Sequence, residues 1–140
     1  MRGIDLLQPS ISPSPDAAPF WAAAAQHRLE IPRCNPCGRH FFYPRALCPL
    51  CGSRDVGWVE SAGTGVLYSF CIQHRSSVPG LAEATPFVTC LVDLDEGVRL
   101  MSFLVGVPPE PDQITCAMRV RVDFHDLRDG HTLPVFRPAS

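Results

Sequence analysis

The sequence predicts a mainly β protein in three parts: an N-terminal helix, a small ribbon built around four cysteines, and a C-terminal five-stranded barrel. Three observations lead to this prediction. A run of helix formers precedes Pro32, two C-x-x-C-G motifs follow within residues 34–52, and five short strand-like runs occupy most of the remaining chain. A chain of 140 residues is long enough for one ordinary domain or two small ones.

Residues 1–15 include the Pro- and Ser-rich stretch Q-P-S-I-S-P-S-P and are predicted to be a flexible N-terminus. Residues 16–29 are the predicted helical segment. Asp16 can cap a helix, Pro19 is tolerated in a first turn, and the text F-W-A-A-A-A-Q-H-R-L is rich in helix formers. We therefore expect one short helix over about residues 17–28.

Phe20, Trp21, Ala24 and His27 fall at helical spacing, which predicts a single apolar stripe along this helix. Such a stripe more often packs into a core than binds another protein. Two adjacent bulky aromatics nevertheless exceed what a small core buries, so we predict that Phe20 and Trp21 contact a partner protein.

Residues 30–58 form the predicted ribbon, which contains the turns Cys34-Asn35-Pro36-Cys37-Gly38 and Cys48-Pro49-Leu50-Cys51-Gly52. A C-x-x-C turn directs two thiolates at one ion, its backbone N–H groups bond the sulfurs, and the following glycine supplies a positive φ. Two such turns predict a tetrahedral site for zinc or for a single iron, with four ligands: Cys34, Cys37, Cys48 and Cys51. Because four sulfurs leave no position for water, the predicted role of the metal is structural.

The charge around the cysteines favours zinc over iron. The Cys-Pro-x-Cys-Gly pattern also occurs in rubredoxin-type iron sites, but electron carriers normally present an acidic surface to their redox partners. Residues 28–58 instead hold five arginines against Glu30 and Asp55, a formal charge of +3. These arginines offset the negative charge of a metal tetrathiolate. We therefore predict Zn²⁺ as the cofactor.

Residues 59–140 are the predicted barrel domain. Met118, Val120, Val122 and Phe124 alternate with charged residues, as in a half-buried strand, and Asp129-Gly130 is a hairpin turn signal. Five short strands suggest a closed small barrel, and the OB-fold is the commonest version with five strands. The strands are expected at residues 65–74, 86–94, 97–105, 117–124 and 131–136.

The amino-acid composition limits the possible binding partners and the cellular compartment. The chain has 12 basic residues, all arginine and widely spread, against 14 acidic residues, and its pI is near 6.2. This balance argues against a nucleic-acid binder. No segment approaches the roughly 18 apolar residues that span a bilayer. Seven cysteines, four of them in C-x-x-C turns, suit a reduced compartment, so we expect a cytoplasmic protein.

No catalytic motif is recognisable. The sequence has no phosphate loop, paired-carboxylate motif or nucleophile elbow. The pairs His74–Arg75 and His125–Asp126 have no partner constellation that would make them acid–base pairs. Three cysteines remain in or beside strand runs, where a free cysteine is usually a small buried hydrophobe: Cys71, Cys90 and Cys116.

Over about residues 18–138 the chain resembles the bacterial and archaeal zinc-ribbon OB-fold proteins, which are often described as acyl-CoA-associated or as a domain of unknown function. The matching text includes P-F-W, H-R-L-E-I-P-R-C, C-G-R-H-F-F-Y-P-R-A-L-C-P-L-C-G-S, W-V-E-S-A-G-T-G-V-L-Y-S-F and T-L-P-V-F-R-P. The resemblance implies a rubredoxin-like zinc ribbon and a C-terminal OB-fold. One departure concerns residues 114–120, I-T-C-A-M-R-V, because the family usually has a glycine before this strand. The register of the last strands is therefore open.

The resemblance also implies a function. Such proteins are similar to accessory subunits of thiolase-like acyltransferases and aldolases that act on acyl-CoA or polyketide-type substrates, in which the other subunit supplies the catalytic residues. We therefore expect a non-catalytic subunit of a hetero-oligomer that stabilises the complex and helps shape its substrate channel. If it touches coenzyme A, the candidate phosphate contacts are Arg39, His40, Arg45 and Arg75.

Two other functions remain open at the level of the sequence. A zinc ribbon joined to an OB-fold also suggests single-stranded nucleic-acid binding, and Phe41, Phe42 and Tyr43 could stack on bases. Such aromatics more often plug a ribbon against its neighbour. The second alternative is a rubredoxin-like electron carrier.

Overall fold

The computed structural model describes residues 2–139. Helices α1 and α2 span Arg2–Asp5 and Ala18–Ala25. Short 3-10 helices span Pro15–Ala17, Ala82–Ala84 and Pro111–Gln113. Seven strands complete the fold: β1 (Glu30–Cys34), β2 (Val56–Glu60), β3 (Thr64–Gln73), β4 (Phe87–Leu94), β5 (Arg99–Leu104), β6 (Arg119–Asp126) and β7 (Thr132–Pro138).

Strands β3 to β7 form a closed barrel in the order β3-β4-β5-β7-β6, which confirms the predicted five-stranded OB-fold. Strand β4 shows how the sequence builds it, because its side chains alternate between the interior and the surface. Val88, Cys90, Val92 and Leu94 are buried in the main core. The remaining two strands, β1 and β2, form a separate antiparallel hairpin; Cys34 ends β1, and Cys37, Cys48 and Cys51 lie in the loop before β2.

The register of the last strands is regular despite the missing glycine. Strands β6 and β7 pair continuously from Val120 opposite Pro138 to Asp126 opposite Thr132. Just before β6, Ala117 adopts a φ of +72°, a left-handed conformation that glycine takes more easily. Its N–H donates to the Leu67 carbonyl over 2.7 Å, which fixes this turn against β3. The turn before β6 therefore forms without glycine, and Ala117 adopts the strained left-handed conformation.

Replacing Ala117 with glycine should stabilise the protein by about 0.5–1 kcal/mol, because relief of the left-handed strain exceeds the extra entropy of the unfolded chain. The free energy of unfolding from urea titration measures this change. Ala22→Gly, at an exposed position inside α2, is the matched control and should destabilise by a similar amount. A loss of stability in Ala117→Gly would show that the φ of Ala117 is not a source of strain.

Helix α2 is shorter than the expected helix over residues 17–28, since it ends at Ala25. Asp16 lies in the preceding 3-10 turn, and no side chain caps the start of α2. At the other end His27 has a φ of +57°, and the N–H groups of His27 and Arg28 bond the carbonyls of Ala24 and Ala23. This is the Schellman ending of a helix, with histidine where glycine is usual.

Two contacts with β6 hold His27 in this conformation. Its ring stacks on Phe124 at a centroid distance of 5.1 Å, and Nε2 lies 3.2 Å from an oxygen of Asp126. These contacts involve residues nearly 100 positions away in the chain, so the local sequence did not reveal them. They fasten the end of α2 to the barrel.

The N-terminal segment differs from the predicted flexible stretch of residues 1–15. Leu7 is buried and its carbonyl bonds Nε2 of the buried His125 over 2.9 Å. The Gln8 N–H donates to the Gly80 carbonyl over 2.8 Å, and a Cβ on Gly80 would lie 1.8 Å from the Gln8 carbonyl oxygen. The prediction of a flexible segment rested on its Pro and Ser content. Such content does not indicate whether one apolar side chain fits a distant part of the surface.

Candidate metal centre

The first cysteine turn follows directly from β1, whose last residue is Cys34. The Gly38 N–H bonds the Cys34 carbonyl over 2.8 Å, and Gly38 has a φ of +73°. The Cys34 N–H in turn donates to the Arg39 carbonyl over 2.9 Å. This tight turn brings the sulfur of Cys37 back towards that of Cys34, as the C-x-x-C-G pattern predicts.

The second turn repeats this geometry in the loop before β2. The Gly52 N–H bonds the Cys48 carbonyl over 2.9 Å, Gly52 has a φ of +80°, and the Cys48 N–H donates to the Ser53 carbonyl. The Leu50 N–H points at Cys48 Sγ over 3.4 Å. Backbone N–H groups aimed at sulfur are typical of metal thiolate sites, because they stabilise the negative charge.

The two turns face each other and bring the four sulfur atoms together. All four Sγ atoms lie within 4.8 Å of one another, with 3.5 Å between Cys34 and Cys51 and 3.8 Å between Cys37 and Cys48. A tetrahedron with metal–sulfur bonds of about 2.3 Å has sulfur–sulfur edges of roughly 3.8 Å. The residues therefore fit a single ion held by four thiolates.

The pKa values of the two buried thiols move in opposite directions. For Cys48, burial acts to raise the pKa, but hydrogen bonds from the Leu50 and Cys51 N–H groups and from two neighbouring thiols lower it to about 7. For Cys34, the Cys37 N–H acts to lower the pKa, but burial and the neighbouring thiols raise it to about 12. Sulfurs this close cannot all carry a negative charge unless a cation compensates it.

The aromatic run between the turns packs the ribbon rather than standing free. Phe41 is buried with Cys34 and Cys48 in a small second core, against which Val56 packs. Phe42 points the other way and packs on the main core beside Phe20, at a ring distance of 5.5 Å. Tyr43 is about half exposed, and its hydroxyl accepts the Met101 N–H over 3.3 Å. Phe42 and Tyr43 thus join the ribbon to the barrel, while Phe41 packs inside the ribbon.

Of the two predicted partner-binding residues, Phe20 is largely used inside the molecule. Its ring packs against the main core and meets Trp21 edge to face at 5.0 Å. Trp21 is partly exposed and lies beside His131. Both residues line a pocket between α2, the ribbon and the barrel. Contact with a partner stays a prediction, for which Trp21 is better placed than Phe20.

The four candidate phosphate contacts lie in three different segments. Arg39 and His40 follow the first cysteine turn, where His40 pairs with Arg33 in an isolated bridge. Arg45 lies shortly before Cys48, and Arg75 follows β3 on the barrel. Among the described residues, none of the four takes part in an ion pair or a side-chain hydrogen bond. Their role in binding coenzyme A stays a prediction.

The cysteines outside the cluster do not share one environment. Cys90 is buried in the barrel, and this burial raises the pKa of its thiol to about 12. Cys71 and Cys116 are exposed, so the expectation of small buried hydrophobes holds for Cys90 alone. Sequence reasoning also missed the contribution of His125, which binds the N-terminal segment.

Comparison with known proteins agrees with this architecture. A family model described as "ChsH2, rubredoxin-like zinc ribbon domain" matches residues 21–57. A second, described as "ChsH2, C-terminal OB-fold domain", matches the adjoining residues 58–125. The chain belongs to this family of zinc-ribbon OB-fold proteins. This confirms the resemblance deduced from the cysteine turns and the strand motifs.

Three relatives illustrate the range of the family. A probable enoyl-CoA hydratase alpha subunit of Thermomonospora curvata is 43% identical over 95% of this chain and 40% of that protein. A benzoylsuccinyl-CoA thiolase subunit, BbsA, of Geobacter metallireducens is 31% identical over 74% of this chain and 66% of the relative. A DUF35 domain-containing scaffold protein of Methanocaldococcus jannaschii is 26% identical over 69% of this chain and 67% of that protein. The chain thus spans less than half the length of the hydratase subunit.

A solved structure called "Ltp2-ChsH2(DUF35) aldolase" contains a chain with the same fold. It matches with a TM-score of 0.83 and 41% identity, over 94% of this chain and 100% of that chain. Within the part of our chain that the structure describes, no helix has the length and hydropathy needed to cross a bilayer.

Replacing Cys48 with serine should remove bound metal, because three thiolates and one hydroxyl hold a divalent ion far more weakly than four thiolates. Metal analysis of the purified protein should fall from about one ion per chain to a small fraction of that value. The loss should destabilise the ribbon by several kcal/mol, on the order of half the binding energy of a structural zinc. Thermal unfolding followed by circular dichroism measures this change.

Cys71→Ser is the matched control, since Cys71 lies on β3 outside the cluster and is exposed. It should leave the metal content and the unfolding curve unchanged. If Cys48→Ser kept a full complement of metal, the cluster would not be the metal site.

Proposed function

We propose that this chain is a non-catalytic accessory subunit that binds a thiolase-like enzyme acting on acyl-CoA or related acyl substrates. In this proposal it stabilises the complex and helps to shape the substrate channel, while the partner supplies the catalytic residues. The observation that carries the proposal is the match to the chain found in the Ltp2-ChsH2 aldolase, which covers 94% of this chain and 100% of that chain.

The names of the other relatives support an accessory role. Two relatives are matched by this chain over about two thirds of their length. One is called a thiolase subunit and the other a scaffold protein. The hydratase name belongs to a much longer protein, of which this chain matches 40%. Hydration is therefore the second candidate activity, and it can be assayed separately from carbon–carbon bond cleavage.

We further propose that the four cysteines hold zinc in a structural role. A site closed by four thiolates keeps no position open for a substrate, in contrast to catalytic zinc sites. A bound metal would cross-link the two cysteine turns. The residues of the chain do the rest: backbone N–H groups stabilise the sulfur charge, and Phe41 excludes water from one side of the cluster.

Co-expression with thiolase-like subunits encoded in the same genome tests the proposed function. The tagged chain should co-purify with one of them in a constant ratio and carry about one zinc per chain, without the red colour of ferric tetrathiolate. The complex should cleave an acyl-CoA substrate that neither subunit cleaves alone. The isolated chain should show no hydratase activity.

Two controls make the result interpretable. The Cys48→Ser variant should lose the partner together with the metal, whereas Cys116→Ser, at an exposed cysteine outside the cluster, should retain both. Iron and red colour in a chain without a partner would instead favour the electron carrier. Salt-sensitive binding of single-stranded oligonucleotides would favour the nucleic-acid alternative.

A further inference from the structure

An apolar pocket of about 200 Å³ lies where helix, ribbon and barrel meet. Trp21 comes from α2, Tyr43 from the ribbon, Met101 and Phe103 from β5, and Leu133 from β7. We call the surface formed by these five residues the seam. The residues at its floor, Leu100 and Ser102, are buried, so the pocket is bounded by the barrel wall.

The seam extends beyond this pocket because neighbouring concavities share its walls. Met101 also lines a shallow hollow with Leu91 on the outer face of β3, β4 and β5. Phe103 also lines a larger cavity at the end of the barrel and meets Phe87 at a ring distance of 5.7 Å. Met101 is 61% exposed and Tyr43 is 52% exposed. Large apolar side chains that are contiguous and exposed mark interaction sites more often than isolated ones do.

The seam lies where two barrel strands separate. Among the described residues, strands β5 and β7 pair only at Leu104 opposite Phe136, so most of this edge of β5 forms no ladder with β7. Ser102 bridges part of the gap by donating its hydroxyl to the Pro134 carbonyl over 2.8 Å. The Met101 N–H donates to Tyr43 instead of to a strand. With the Met101 N–H bonded, this part of the edge presents mainly side chains to an incoming surface.

The seam carries no charged side chain. The residues that line the central pocket are uncharged. On the neighbouring part of β5, Arg99 pairs with Asp93 over 2.6 Å and lies over the Tyr68 ring at 3.4 Å. A surface with an apolar, uncharged centre suits a permanently associated subunit better than a transient, electrostatically steered partner.

We propose that the seam is the surface on which the thiolase-like subunit docks, with a large apolar side chain of that subunit in the 200 Å³ pocket. This inference rests on the proposed function and adds the location of the interface. The occupant follows from two observations together. The seam is neutral and apolar, as expected for a lasting subunit contact, and a solved relative that covers 94% of this chain is part of an aldolase named for two components.

Two other apolar surfaces fit the partner less well. One wall of the cavity at the end of the barrel is formed by the chain's own N-terminal residues Ile4, Leu6 and Leu7, so a partner there would contact the N-terminal segment as well as the barrel. The tip of the ribbon exposes Leu47 and Leu50 beside a shallow, open hollow. An anchor side chain needs a pocket with walls that a partner can seal from water, and the seam pocket, walled by helix, ribbon and barrel, is more recessed than the hollow at the ribbon tip.

The test compares two single substitutions of similar exposure in the full chain. Met101→Glu places a charge at the centre of the seam, and Leu50→Glu places the same charge at the ribbon tip, where the side chain is 53% exposed. Affinity for the thiolase-like subunit that co-purifies with the wild-type chain is measured by calorimetry. We expect Met101→Glu to weaken binding by about thirty-fold or more and Leu50→Glu by less than about three-fold.

Unchanged metal content and circular dichroism establish that both variants are folded, which is expected because both side chains are exposed. If the wild-type chain binds no thiolase-like subunit, the proposed function fails and the inference fails with it. If it binds and Met101→Glu binds equally well, only the location is wrong. A loss confined to Leu50→Glu would move the interface to the ribbon tip. If Met101→Glu instead abolished self-association of the chain, a second copy would be the occupant and the proposal would be overturned.

Discussion

The convergence of four sulfur atoms on one point is the constraint on which the rest of the structure depends. Among the described residues, the ribbon's own core consists of Cys34, Phe41 and Cys48, with Val56 packed against it. A core of this size does not offset the entropy of ordering about thirty residues. A bound metal supplies the missing free energy, since structural zinc contributes on the order of 10 kcal/mol. The geometry of the sulfurs matches that requirement.

Once the ribbon is held, its outer residues complete the barrel. Leu29 and Ile31 of the chain entering the hairpin are buried in the main core, and Phe42 packs on the same core beside Phe20. Tyr43 covers the part of β5 that β7 leaves unpaired. The seam is therefore not a property of the barrel alone. It exists because three elements from distant parts of the sequence are fixed against one another.

Local patterns predicted the parts of the structure that are determined locally. The cysteine turns follow from spacing, and the strands follow from alternation and turn residues, so these elements were found within a few residues of their bounds. Where distant residues decide the outcome, the sequence was a poor guide. Helix α2 ends early because His27 stacks on Phe124. Leu7 is buried because its segment binds His125.

Hydrogen–deuterium exchange before and after metal removal tests most directly whether the metal-held ribbon positions the seam. With the metal extracted by a chelator, amides of the ribbon such as Cys34 and Phe41 should lose protection, and so should Met101, whose N–H donates to Tyr43. Amides inside the barrel ladder, such as Val92 in β4, should stay protected. If Met101 kept its full protection while the ribbon amides exchanged, the seam would form without the metal, and this account of the structure would be wrong.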